Sequence, residues 1–113
     1  MIVEQMAQIV ERLEEAGLKA TINPPGVHPP CAWVAPREIV GGRLDGERLY
    51  NFVVMLIAPS SLDIPRAFIT LDSMLDQAMK AIGGWMTHSD LGVEVTLPDG
   101  SSCPAFSLII EPS

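Results

Sequence analysis

The sequence predicts an α+β fold, with a mainly antiparallel sheet of about four to five strands and two helices packed on one face of it. Two stretches of the chain carry apolar residues at helical spacing. The stretches between and after them alternate apolar and polar residues or are continuously apolar, which is typical of strands. The resulting order is α-β-β-β-α-β-β. At this length it fits a single domain covering residues 1–113.

The first helix is predicted at the start of the chain. Apolar residues recur there at steps of three and four, and acidic and polar residues fill the opposite side. Gly17 followed by Leu18 predicts a left-handed C-terminal cap with a hydrophobic residue just after it. The apolar positions are Ile2, Val3, Met6, Ile9, Val10, Leu13 and Ala16.

Three strands are predicted next. Residues 18–23 alternate and form a short strand, after which the proline-rich stretch 22–31 interrupts any strand pairing. We interpret that stretch as a stiff crossing whose second Pro-Pro step straightens the chain into the next strand, 31–36, which Pro36 ends. Two glycines and an Asp-Gly step make residues 41–48 a mobile hairpin loop. The most apolar run, 49–59, is predicted as a central strand.

The second helix has clear start and stop signals. Asp63 is a candidate cap, Pro65 lies near the first turn, and Gly83 with Gly84 ends the run. The predicted apolar face consists of Ile64, Phe68, Leu71, Leu75, Ala78, Met79 and Ile82.

The chain ends in a predicted hairpin. Two alternating runs within residues 93–110 are joined around Pro98, Asp99 and Gly100, which are typical turn residues.

The charge balance excludes several classes of function. Fourteen acidic residues against seven basic ones give a net charge of −7, which disfavours non-specific nucleic-acid binding and docking to anionic membranes. The apolar runs are too short to cross a bilayer, and the N-terminus lacks the basic segment of a signal peptide. We therefore expect a cytoplasmic protein with free thiols.

Two histidines and two cysteines are the candidate metal or nucleophilic residues. His28, Cys31, His88 and Cys103 include one closely spaced pair, whereas structural zinc sites usually combine two. His88 is predicted in a loop and Cys103 at the start of a strand. Nothing near either cysteine supplies the positive charge that an activated thiolate needs. The sequence therefore favours a surface histidine and small apolar cysteines, with no catalytic residue, metal or cofactor.

Neighbouring carboxylates offer no better site. Glu14 with Glu15, and Asp72 with Asp76, lie on the polar sides of the two predicted helices. A glycosidase-like pair needs carboxylates that face each other across a cleft. We expect these four side chains to be solvated.

The glycine-rich loop is the candidate protein interface. Arg37, Arg43 and Arg48 flank it and Asp45 lies within it. Three arginines on an acidic chain suit an acidic protein patch, but the residues favour a solvated loop over such a contact.

Three segments together resemble a known family. Residues 11–36 (ERLEEAGLKATINPPGVHPPCAWVAP) combine a helix, a glycine, a strand and a proline-rich crossing. Residues 50–82 (YNFVVMLIAPSSLDIPRAFITLDSMLDQAMKAI) join a central strand to a long helix, and residues 92–113 (GVEVTLPDGSSCPAFSLIIEPS) close with a hairpin. In this order and at this length they resemble the tail terminator (tail-completion) proteins of long-tailed bacteriophages.

The resemblance implies a structural role in the virion. Such subunits assemble into a ring, typically a hexamer, on the head-proximal end of the tail tube. The ring stops polymerisation of the major tail tube protein and offers a surface to the head-to-tail connector protein, and DNA passes through it without specific binding. No catalysis and no site residue are implied. Acidic subunits around the channel are expected to repel passing DNA.

Two alternatives remain at this point. One is another small phage neck protein, such as a head-completion factor, because its size and sequence pattern are similar. The other is a small metal-binding or hydrolytic protein that uses His28, Cys31, His88 and Cys103.

Overall fold

The elements follow the predicted order in a computed structural model of the chain. The structure describes residues 2–23, 28–42, 48–61, 63–97 and 100–111, with the backbone alone for 38–42 and 48–49. The elements are α1 (Ile2–Glu15), β1 (Ala20–Thr21), β2 (Cys31–Gly42), β3 (Arg48–Ile57), α2 (Ile64–Ile82), a 3-10 turn (Gly83–Trp85), β4 (Met86–Thr96) and β5 (Ser102–Ile110).

The strands form one five-stranded sheet in the order β1-β2-β3-β5-β4. Three of its four pairings are antiparallel, and only β1 runs parallel to its neighbour β2. The predicted α+β fold with a mainly antiparallel sheet is therefore confirmed. Parallel neighbours usually need a connection of a dozen or more residues. Here the nine residues 22–30 suffice, because β1 is only two residues long and the chain has little distance to return.

The end of α1 confirms the predicted left-handed cap. Gly17 has φ 93°, a conformation that costs glycine little. The Leu18 N–H donates to the Leu13 carbonyl at 2.9 Å, and the Gly17 N–H donates to the Glu14 carbonyl at 3.0 Å. These two bonds form a Schellman motif. Leu13 and Leu18 are both buried in the main core, so the same motif anchors the helix end to the sheet.

The start of α2 is also as predicted, but its buried face is rotated. The Asp63 carboxylate accepts a hydrogen bond from the Arg66 N–H at 2.9 Å, and proline occupies the first turn. Ile64 is 70% exposed and Phe68 is 40% exposed. Both line a groove between α2 and β4. The residues of α2 that are buried are Ala67, Leu71, Met74, Ala78 and Ile82.

Two predicted strand boundaries are wrong. Pro36 does not end β2, which continues to Gly42. Because β1 pairs only with Ala32 and Trp33, β2 is an edge strand at Pro36, where a missing N–H is tolerated. The last strand pair begins at Met86 rather than near residue 93, since β4 lies at the sheet edge and its exposed side chains need no apolar alternation.

The proline-rich crossing is only partly described. Residues 24–27 lie outside the described residues, and so do Pro98 and Asp99 of the predicted hairpin turn. The Pro29–Pro30 peptide bond is cis and these residues form a bend, so the straight segment expected before β2 is not observed.

The main core lies between the helices and one face of the sheet, as predicted. Side chains from α1, α2, β2, β3 and β5 interdigitate there. A second, smaller apolar cluster lies on the opposite face and contains no residue of either helix. Its buried members are Cys31, Ile57, Val95, Leu97, Cys103 and Ala105.

The difference between Leu71 and Ile69 tests this core. Leu71 is fully buried and Ile69 is 71% exposed on the same helix. We expect Leu71→Ala to lower the free energy of unfolding by about 3 kcal/mol, because it removes core contacts and leaves a cavity. Ile69→Ala should change it by less than about 0.5 kcal/mol. Urea denaturation followed by circular dichroism measures both. Equal effects would show that α2 does not pack in this orientation.

Candidate functional site

Of the four candidate ligands, the two cysteines share one buried cluster, His28 contacts Cys31 through its backbone, and His88 lies apart from them. Cys31, at the start of β2, and Cys103, in β5, are buried on the face without helices. His28 is exposed before β2. His88 lies in β4, where a loop was predicted, and its ring Nε2 is 3.4 Å from an Asp90 carboxylate oxygen.

Their separation argues against one metal site. His88 pairs with Ile109, while Cys103 pairs with Val95 at the far end of the same strand pair. Six residues of β5 separate Ile109 from Cys103, a distance of roughly 20 Å. Within the part of the chain that the structure describes, no group of three or more His, Cys, Asp or Glu side chains is placed to hold a metal ion.

The environment of Cys31 disfavours a nucleophilic role. Burial raises the pKa of its thiol above the ordinary value of 9.0. A hydrogen bond from the His28 backbone and the positive charge of Lys19 act in the opposite direction, and Cys103 adds to the increase. Desolvation prevails, so the thiol stays protonated near neutral pH, whereas catalytic cysteines are thiolates.

The neighbouring carboxylates are solvated, as predicted. Glu14 and Glu15 are exposed on α1, and Asp72 and Asp76 are exposed on α2. Exposed carboxylates of this kind form solvated helix surfaces.

The face of the sheet without helices carries several apolar side chains that are only half-buried. Strand register places side chains of four strands in rows across it: Cys31–Ile57–Ala105–Val93, Trp33–Met55–Ser107–Asp90 and Ala35–Val53–Ile109–His88. The first row is largely buried. The next two rows are half-buried except at His88 and Asp90, which are exposed at the β4 margin. We call Trp33, Ala35, Val53, Met55, Ser107 and Ile109 the open face.

Trp33 lies on the open face, and its indole N–H has an unusual environment. Its indole Nε1 is buried and has no hydrogen-bond partner. Buried indole N–H groups usually find an acceptor. Trp33 also packs against the smaller apolar cluster.

A hairpin arm projects beyond the sheet next to the open face. Strands β2 and β3 pair as far as Gly42 and Arg48, but β5 pairs with β3 only from Phe52 onward. Residues 38–42 and 48–51, which we call the arm, therefore have no third strand in the described part of the chain. Four to five residues per strand give the arm a length of roughly 15 Å.

The predicted interface loop lies at this arm. Arg37 is exposed at its base, and Arg48 is placed by its backbone at the first residue of β3. Arg43 and Asp45 lie outside the described residues. The interface role of these four residues stays a prediction. The projection of the arm was missed because Pro36 was expected to end β2.

The free edge of the sheet at β4 is protected against strand addition. Its register shifts twice, between Met86 and His88 and between Leu91 and Val93, where Gly92 has φ 84°. Bulges and charged side chains such as Asp90 are devices that discourage edge-to-edge pairing. Association through this edge is therefore disfavoured.

Two comparisons with known proteins found no match. No family model matches the sequence, and no match was found among curated proteins. Within the described residues, neither helix is long and apolar enough to cross a membrane.

A first prediction concerns Cys31 and alkaline pH. The folded state holds the thiol pKa above its unfolded value, so its contribution to stability is complete below pH 9.0 and is lost as the pH rises through the raised value. We expect the free energy of unfolding to fall more steeply from about pH 8 to about pH 10 in the native chain than in Cys31→Ala. Urea titrations at a series of pH values measure both slopes. Parallel slopes would show that the thiol is not desolvated.

A second prediction concerns His28. Its side chain is exposed, and the contact with Cys31 comes from its backbone. We expect His28→Ala to keep the native melting temperature within about 3 °C, because surface substitutions rarely change stability by more than about 0.5 kcal/mol. Thermal denaturation with metal analysis of the purified protein tests this. Stoichiometric zinc in the native chain that is lost in the variant would contradict our reading of this residue.

Proposed function

We propose that this chain is a structural subunit of a bacteriophage tail terminator. It assembles into a ring, a hexamer as in the family it resembles, on the head-proximal end of the tail tube. There it stops polymerisation of the major tail tube protein and offers a surface to the head-to-tail connector protein. The site of action is the virion, at the junction of head and tail. No catalytic residue or cofactor is assigned.

The observation that carries this proposal is that one small subunit has two unlike incomplete surfaces. The open face is apolar and half-buried, and the arm lacks a third strand among the described residues. A ring needs a heterologous contact, in which two different surfaces of identical subunits meet. A self-complementary dimer would need only one such surface. The element order, which agrees with the resemblance, is a second support.

The charge distribution fits a ring through which DNA passes. Residues 2–15 and 63–82, which form the helix layer with its cap, carry seven acidic and three basic side chains. Their acidic residues are exposed. A channel lined by this layer would repel the phosphate backbone and keep DNA from adhering. Placement of the helix layer on the outer rim of the ring would remove this explanation.

The proposed termination is tested directly with polymerising tail tubes. We expect that adding the chain to tail tube subunits during assembly shortens the tubes, because a ring bound at the growing end blocks further addition. We also expect tubes that were first incubated with the chain to resist elongation by fresh subunits. Tube lengths in electron micrographs measure both effects.

The control is an unrelated protein of similar size and net charge, added at the same concentration. Tubes that lengthen equally with either protein would refute termination. A chain that leaves tube length unchanged but binds isolated head connectors would instead be a head-completion factor.

A further inference from the structure

We propose that the arm of one copy of this chain lies across the open face of a second copy. This inference rests on the proposed ring and names the contact that builds it. The partner is therefore the chain itself, and the contact is heterologous because the arm and the open face are different surfaces. Repetition of such a contact closes into a ring when the rotation between subunits permits it.

The central strands indicate that something covers the open face. Strand β3 places Phe52 and Val54 in the main core, and Val53 and Met55 on the opposite side. Such a continuous apolar run is typical of strands that are covered on both faces. In the described part of the chain, helices cover only one face. The second cover must then come from outside the described residues, and a neighbouring subunit supplies it.

The arm in turn lacks a third strand or an apolar surface to pack on. An isolated two-stranded hairpin is marginally stable in water and gains stability from a third strand or an apolar surface to pack on. By sequence the arm contains Ile39, Val40 and Leu49, residue types that suit such packing, whereas Tyr50 at its base already packs against the main core. Docking of the arm on the open face would cover the open face and would give the arm an apolar surface to pack on.

The charge distribution along the chain also favours contact between the arm and the open face. Copies of net charge −7 repel one another, and the cost is smallest where the contact includes the least acidic part of the chain. Residues 37–48 carry three of the seven basic residues and three acidic ones, so this segment is neutral while the remainder carries the whole net charge. Asp90, at the margin of the open face, is an exposed carboxylate that arginine can reach.

Two competing surfaces are less suitable. The edge of β4 is interrupted by two register shifts, as described above. The groove between α2 and β4, lined by Ile64, Phe68 and Glu94, has a volume of about 280 Å³. That volume accommodates one or two side chains rather than a two-stranded arm.

Photo-crosslinking between differently labelled copies tests the contact. One copy carries a benzophenone-bearing phenylalanine in place of Ile39, and the other carries heavy nitrogen and no crosslinker. The two are mixed at high concentration and irradiated, and crosslinked peptides are mapped by mass spectrometry. We expect light–heavy crosslinks from the arm to peptides of β3 and β5 that contain Met55 or Ile109.

A matched pair of substitutions in the heavy copy provides the control. Ser107 is half-buried on the β5 side of the open face, whereas Ser73 is exposed on α2. We expect Ser107→Arg to reduce the light–heavy crosslinks about tenfold, because a long charged side chain there obstructs close packing of the arm. Ser73→Arg should leave their yield unchanged. Circular dichroism confirms that both variants are folded.

Other outcomes overturn the inference. Light–heavy crosslinks that map to the β4 edge or to the α2–β4 groove, equal yields with both arginine variants, or an absence of light–heavy crosslinks would each show that the arm does not dock on the open face. The tube-length assay is independent of this experiment. A chain that still stops tube growth after any of these results would keep its proposed function and lose only the proposed contact.

Discussion

The structure depends on central strands that are apolar on both sides. Strands β3 and β5 join the main core to the smaller cluster, and every other element is placed relative to them. Helices α1 and α2 cover one face of the sheet. Among the described residues no helix covers the other face. The half-buried apolar side chains of the open face would gain further free energy if water were excluded from them.

The net charge sets a second constraint, which acts against the first. Apolar surface favours association, while seven surplus negative charges oppose it. The conflict is resolved by position: the acidic residues of α1 and α2 are exposed on the helix side, and the open face is on the other. The β4 margin, with His88 and Asp90, is the boundary between the two kinds of surface.

Sequence alone predicted the parts of the fold that local signals specify. The cap at Gly17, the cap at Asp63 and the hairpin of the last two strands all follow from residue chemistry at short range. The parts that depend on neighbours were missed. Pro36 is tolerated only because β2 is an edge strand there, and β4 begins early because its exposed side chains carry no apolar pattern. His88 was placed in a loop, although it lies in β4.

The two proposals together explain how a subunit can polymerise into a ring and yet end a polymer. When every arm lies on the open face of the next copy, both incomplete surfaces are used within the ring, and a closed ring has none left over. The acidic helix layer and the protected edge of β4 lie outside this contact. Neither invites addition of another subunit, since one repels acidic copies and the other resists strand pairing. Growth would then stop at the ring because each arm and each open face is already bound to a neighbouring subunit.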